Sequence, residues 1–190
     1  MSKLYFVEQV FEKIDHTKNE FRKGEYENCR FINCNFSNTD LSGIEFMECE
    51  FKECNLSMIK TAKTSFKNVR FRGCKLLGVH FESCNDFLFS VTFENCVLNL
   101  SSFFKLNLKK TKFTNSILQE VDFTQTDLSA AVFDNCDLSN SIFRNTVLEK
   151  TDLRTAYNFS IDPEANRMRK AKFSREGISG LLHKYDIEIE

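Results

Sequence analysis

The chain has 190 residues, enough for one domain with a sizeable core, and its 26 Lys and Arg nearly balance its 27 Asp and Glu. A net charge of −1 gives no general attraction for nucleic acid or an anionic membrane, so the expected partners are proteins, with no direct nucleic acid and no membrane contact. No stretch approaches the ~18 apolar residues of a membrane span, and the opening Met1 to Asp15 lacks the apolar run of a signal peptide, which sets the expectation of a cytoplasmic location.

Phenylalanine occurs 21 times, without any Trp and with a single Pro, and it recurs with a period. From Phe21 every fifth residue is Phe21, Tyr26, Phe31, Phe36, Leu41, Phe46, Phe51, Leu56, Thr61, Phe66, Phe71, Leu76 and Phe81, with Thr61 the one polar member. A period of five suits neither an α-helix, around which it smears, nor a flat strand, on which an odd step alternates faces. A backbone that turns by about a right angle every five residues sends all these side chains to one axis, and four such turns close a square coil of 20 residues. Around Thr61 the segment 58–65 is a candidate to bulge from the coil.

Between Phe81 and Phe93 the spacing is twelve, so the register slips by two within residues 82–92, a second candidate loop. A second frame then runs without exception through Phe93, Leu98, Phe103, Leu108, Phe113, Leu118, Phe123, Leu128, Phe133, Leu138, Phe143, Leu148 and Leu153. Rings twenty apart, such as Phe93, Phe113 and Phe133, are expected to stack along one wall, with Phe103, Phe123 and Phe143 opposite. All eight cysteines fall two places before a centre of the frame, a coincidence with odds of roughly 1 in 10^5 by chance, so that position also points inward. The repeats are expected over about residues 16–154, as six to seven coils, within a solenoid spanning 1–157.

Residues 158–190 form a tail. Asp162-Pro163-Glu164 signals a turn, and Ser174 can cap a short α-helix whose apolar residues Ile178, Leu181, Leu182 and Tyr185 share one stripe, ahead of Ile187 and Ile189. A solenoid end exposes unpaired backbone and core, so this stripe either caps its own coil or pairs with a second chain; a homodimer through the tail is the expectation.

Candidate chemistry is sparse. The CxxxxC spacings of Cys29/Cys34 and Cys49/Cys54 put thiols against a dry axis without an inward His or carboxylate, so no metal or other cofactor is expected, and the thiols are expected to stay free. His16, His80 and His183 are isolated and expected at the surface, and no catalytic or phosphate-binding motif is present; the chain is read as no enzyme. Acidic residues crowd two belts, Glu45, Glu48, Glu50 and Glu53, then Glu120, Asp122 and Asp127, with basic stretches between. The twenty-residue period aligns Glu25 with Glu45, sets Asp122 between Ser102 and Ile142, and makes an alternating ladder of Arg30, Glu50 and Arg70.

The segments Cys34-Asn35-Phe36-Ser37-Asn38, Thr39-Asp40-Leu41-Ser42-Gly43, Thr126-Asp127-Leu128-Ser129-Ala130 and Cys136-Asp137-Leu138-Ser139-Asn140 resemble the pentapeptide-repeat family, and the resemblance covers about residues 21–154. It implies an all-β fold, a right-handed quadrilateral β-helix. The start, Glu12-Lys13-Ile14-Asp15 with Phe31 to Ser37 and Leu41 to Phe46, and Leu181-Leu182 before an Ile-rich finish are similar to Qnr-type members. That resemblance implies a dimeric, DNA-mimicking rod that binds DNA gyrase and topoisomerase IV and protects them from quinolones, its acidic belts meeting a basic DNA saddle. The alternative is a general interaction scaffold with an unrelated cytoplasmic partner.

Overall fold

The computed structural model describes residues 4–188. Its backbone is a four-walled coil in which each five-residue step turns a corner, and parallel pairing joins residues twenty apart. On wall one, β1 (Leu4–Val7), β3 (Gly24–Glu27), β5 (Glu45–Met47) and β7 (Ser65–Lys67) pair in that order. On wall two, β2 (Val10–Glu12), β4 (Arg30–Ile32), β6 (Glu50–Lys52), β8 (Val69–Arg72), β9 (Val91–Glu94), β10 (Lys112–Thr114) and β11 (Val132–Asp134) form a longer sheet. Walls three and four are held by single bridges, such as Asp15↔Asn35↔Asn55↔Lys75 and Ser102↔Asp122↔Ile142.

The ladder is longer than the predicted repeats at both ends, running from Leu4↔Gly24 to Asp152↔Lys172. The first coil was hidden because its third centre is His16, which belongs to neither the Phe nor the Leu pattern. Stepping back by five from Phe21 gives His16, Phe11 and Phe6, and all three rings stack on the coil above: Phe6 on Tyr26 at 4.6 Å, Phe11 on Phe31 at 5.0 Å and His16 on Phe36 at 4.5 Å. His16 is thus a half-buried core ring, which corrects its reading as a surface histidine.

The axis is filled as the period required. Phe93, Phe113 and Phe133 stack at 5.3 and 4.8 Å, and Phe103, Phe123 and Phe143 stack at 5.5 and 5.2 Å. The two columns meet edge to face across the axis, Phe93 on Phe103 at 5.9 Å and Phe113 on Phe123 at 6.1 Å, the arrangement that the ring quadrupole favours. The position two places before each centre is inward too, and all eight cysteines there are buried and unbridged.

Small size is only part of that position's requirement. Thr64, Thr126, Thr146 and Thr151 each donate their hydroxyl at 2.8 Å to the carbonyl of a centre in the coil below, Leu41, Phe103, Phe123 and Leu128. Cys49, Cys54 and Cys74 do the same through Sγ at 3.3 Å, to Tyr26, Phe31 and Phe51. Ser, Thr and Cys recur here because each is compact and carries a donor for a carbonyl that turns off the ladder.

Corners are made by residues with positive φ, among them Asn28, Asn33, Asn95, Asn115 and Asn135, a residue that tolerates the left-handed region. Neither polar centre nor slip breaks the rod. The segment 58–65 stays in the coil: Lys60 bridges Asp40, and buried Thr61 satisfies its hydroxyl on the His80 carbonyl at 2.6 Å, which corrects the expected bulge. The slip does form a loop, on wall one. After a short 3-10 turn at Phe81–Ser83 the chain leaves the ladder at Asn85 and returns at Ser90, whose N–H donates to the Phe66 carbonyl. Phe89 turns inward against Phe66 and Phe81 in place of the missing centre, while Phe87 and Leu88 project outward.

The tail contains no α-helix among the described residues. Two 3-10 turns, Glu176–Leu181 and His183–Tyr185, stand where the apolar stripe predicted one, because two glycines in six residues weaken α-helix and the segment is pressed onto the coil.

Candidate protein-binding surfaces

Because the axis is closed by packed side chains, recognition falls to the outward positions and the two ends. Among the described residues, no group of three or more His, Cys, Asp or Glu is arranged to hold a metal, and no helix is long and apolar enough to cross a membrane. Burial pushes the Cys49, Cys84 and Cys136 thiols up to about 12, so these thiols are protonated and poorly nucleophilic at neutral pH.

The first acidic belt holds together in space. Glu45 lies on wall one, Glu48 on the corner between walls one and two, Glu50 on wall two and Glu53 on the next corner. It is partly neutralised: Lys67 reaches Glu45 at 3.2 Å, and Glu50 sits between Arg30 at 3.2 Å and Arg72 at 3.6 Å. Arg70 neighbours Glu50 in the ladder, but the ion pair goes to Arg72 two places on, whose side chain also reaches Glu94 at 3.0 Å. The Glu53 carboxylate lies beside Gly73, in the space a side chain there would fill.

The second belt does not form one face. Glu120 is at the corner of walls three and four, Asp122 is on wall four and Asp127 is on wall one. Asp122 and Asp127 are both committed to the backbone, accepting N–H bonds from Thr124 at 2.8 Å and Ser129 at 3.0 Å. Burial alone would raise Asp127, but hydrogen bonds from Ser129 and Lys109 outweigh it and hold the carboxyl below its usual range. Of this belt only Asp127 shares a wall with Glu45, since a run contiguous in sequence wraps around the rod.

The tail residues divide. Leu181 packs against the core and Leu182 is half-buried, whereas Ile178, Tyr185 and Ile187 are exposed; Ile189 lies outside the described residues. The tail is tied to its own coil by Ile161 N–H to Gly180 carbonyl at 2.9 Å and by Lys184, which meets Asp162 and Glu164 at 2.7 Å each. Hydrogen bonds to these two carboxylates, Asp162 first, hold the Lys184 ammonium above its ordinary range. Ser174 accepts the Gly177 N–H at 3.0 Å, but the α-helix it was expected to cap is absent among the described residues and Arg175 stands at the N-cap of the 3-10 turn, which corrects that reading.

One outward feature escaped sequence reasoning. Met58, Leu77, Leu100 and Ile117 make an exposed apolar stripe on wall three and its corner with wall four, with Met58 laid over Gly78. These residues are scattered in sequence, and only the twenty-residue step, with the slip included, brings them together.

Residues 24–87 match a family model described as a pentapeptide repeat region, and residues 116–154 match one of eight pentapeptide repeats. Between them these matches span more than half of the chain. Among curated proteins none matches. Solved structures of similar shape include HetL, a pentapeptide-repeat protein involved in heterocyst differentiation regulation in the cyanobacterium Nostoc, at 14% identity and a TM-score of 0.53, covering 92% of this chain and 89% of that one. They also include trypsin-treated QnrB1, a plasmid-mediated fluoroquinolone resistance protein, at 22% identity and a TM-score of 0.49, covering 98% of this chain and 100% of that one.

Proposed function

Since the chain belongs to the pentapeptide-repeat proteins, we propose that it works without catalysis, as a rod whose outer skin binds another protein, and that the partner is a type II topoisomerase, DNA gyrase or topoisomerase IV. The observation that carries this reading is the acidic N-terminal surface, where Glu45, Glu48, Glu50 and Glu53 lie together on adjoining walls and corners and can meet a basic, DNA-binding saddle. The likeness of residues 12–15, 31–46 and 181–182 to Qnr-type chains points the same way. The test is gyrase supercoiling with ciprofloxacin: the protein restores supercoiling, and Glu48→Lys/Glu53→Lys abolishes the rescue. Absence of both rescue and inhibition over a wide concentration range refutes the reading.

The second reading is an interaction scaffold with an unrelated partner. It is favoured by the dispersal of Glu120, Asp122 and Asp127 over two walls and a corner of the rod, which spoils a continuous imitation of the duplex phosphate array. Isolation of a bound protein other than a topoisomerase, together with an inert supercoiling assay, supports it.

A further inference from the structure

A net charge of −1 is a sum over unlike surfaces. In the C-terminal coils, three columns of outward residues run side by side along the corner between walls one and two. The ladder aligns Lys112 with Val132, Asp152 and Lys172, and the left-handed corner residues Lys110, Ala130, Lys150 and Lys170 follow one another coil by coil. One place before each corner stand Lys109, Ser129, Glu149 and Arg169. Lys110, Lys112, Lys150, Arg169 and Lys170 are exposed, and among the described residues none of them meets a carboxylate. The acids in and beside the columns are engaged elsewhere: Asp127 with Lys109 at 3.2 Å, Glu149 with Arg167 at 2.7 Å, and Asp152 with Arg154 at 2.7 Å and Lys172 at 3.8 Å. Asp134 accepts the Thr155 hydroxyl at 2.9 Å. Glu48, on the same edge of the rod, lies three coils before Lys110, roughly 14 Å at ~4.8 Å per coil, which exceeds the screening length of ~8 Å at physiological salt.

What these columns lack identifies the class of ligand. Between the cationic ends, Ser129, Ala130 and Val132 are compact and half-buried, and the columns contain no aromatic ring and no exposed apolar side chain. A protein interface draws its affinity from a desolvated aromatic or apolar centre, whereas a phosphate backbone needs only placed cations. Single strands are held by stacking their bases on aromatic rings, and the strip offers none. The spacing suits a duplex. Lys150 is two coils from Lys110 and Lys170 is three, roughly 10 and 14 Å at ~4.8 Å per coil, which brackets the ~12 Å width of the major groove of B-form DNA.

We propose that this C-terminal corner binds the backbone of duplex DNA without reading its sequence. Lys110 and Lys112 take phosphates of one strand, and Lys150, Arg169 and Lys170 take those of the other across a groove. The compact residues between them send no side chain to the base edges, so affinity follows charge and not sequence. The proposal reverses the expectation of no direct nucleic acid contact, which rested on charge summed over the whole chain. It stands apart from the topoisomerase reading, because it shares no residue with Glu45, Glu48, Glu50 and Glu53 and its test contains no enzyme.

The test is fluorescence anisotropy, with the full chain titrated into a labelled 20-bp duplex of mixed sequence. With about five phosphates neutralised, log Kd is expected to rise with log salt at a slope of about 4 to 5, a weakening on the order of a hundred- to a thousandfold between 50 and 200 mM NaCl. A duplex of unrelated sequence binds within about twofold, and a single strand of the same length binds more weakly. Lys110→Glu/Lys150→Glu weakens binding about tenfold or more and lowers the slope by about 2. Its circular dichroism spectrum is unchanged, because Glu48 already occupies an equivalent left-handed corner. Lys60→Glu/Lys63→Glu makes the same change of net charge on wall four and its corner with wall one, and leaves binding within about twofold. Absence of binding at 100 µM protein in 50 mM NaCl overturns the proposal. Equal weakening by the two double variants also overturns it, since overall charge then governs. So does a poly-glutamate peptide that binds as tightly as the duplex through Lys110 and Lys150, since the corner then takes an acidic protein.

Discussion

Phe123 stacks between Phe103 and Phe143 and meets Phe113 and Phe133 edge-on, so its removal leaves a hole that no neighbour can fill without breaking a column. Phe123→Ala is expected to cost about 3–5 kcal/mol in urea or thermal unfolding. His16 makes the opposite kind of statement. Its ring occupies a centre, both nitrogens are buried without a hydrogen-bond partner, and burial, outweighing the Asn19 backbone and the nearby Asp15 carboxylate, holds it below its usual range. The unfolded chain therefore takes up a proton first as pH falls. The contribution of the neutral ring is present above pH ~6.5 and is lost below it. Melting temperature should drop between about pH 7 and pH 5 in the wild type and drop less in His16→Phe, a comparison that removes the carboxylate titrations common to both.

Each five-residue step is an element in its own right: an inward donor, a central ring or leucine, and a left-handed corner. The centre could be read from the period of five, since burial selects Phe or Leu at most of these positions. The donor role of the inward residue could not, because it depends on a carbonyl 23 residues away, as in the bond from Thr126 to Phe103. The corner sets a conformational cost wherever it is neither Gly nor Asn. Ala130 sits there at φ +57° with no side-chain compensation. Relief of ~1–2 kcal/mol of left-handed strain, against ~0.5–1 kcal/mol of added chain entropy, gives Ala130→Gly a gain of about 0.5–1 kcal/mol by denaturant titration.

At the scale of the whole molecule the rod has unlike ends. The C-terminal end is covered by its own tail, held where Gly180 lies so close to Phe159 that a β-carbon would stand 2.4 Å from the Phe159 carbonyl oxygen. Gly180→Val should therefore lift the tail and expose Phe159 and Ile161. Trypsin should cut faster after Arg175 and Lys184, with little change in the cooperative melting of the coil, because a solenoid is stabilised mainly between neighbouring coils. At the other end, among the described residues, β1 and β2 are the edge strands of their sheets, with Leu4, Tyr5, Val7 and Val10 exposed.

The period of five, the inward cysteines and the slip at 82–92 were all legible in the one-dimensional chain, since a dry axis imposes the same demand at every fifth residue and the demand repeats often enough to count. Which outward residues share a wall was decided only by closure of the coil. The twenty-residue step scatters the second acidic belt and gathers Met58, Leu77, Leu100 and Ile117 into one stripe. The burial of His16 was likewise a tertiary outcome, because stacking on Phe36 overrode what residue type suggested, and in the tail packing against Phe159 joined the two glycines in turning the apolar stripe into 3-10 turns.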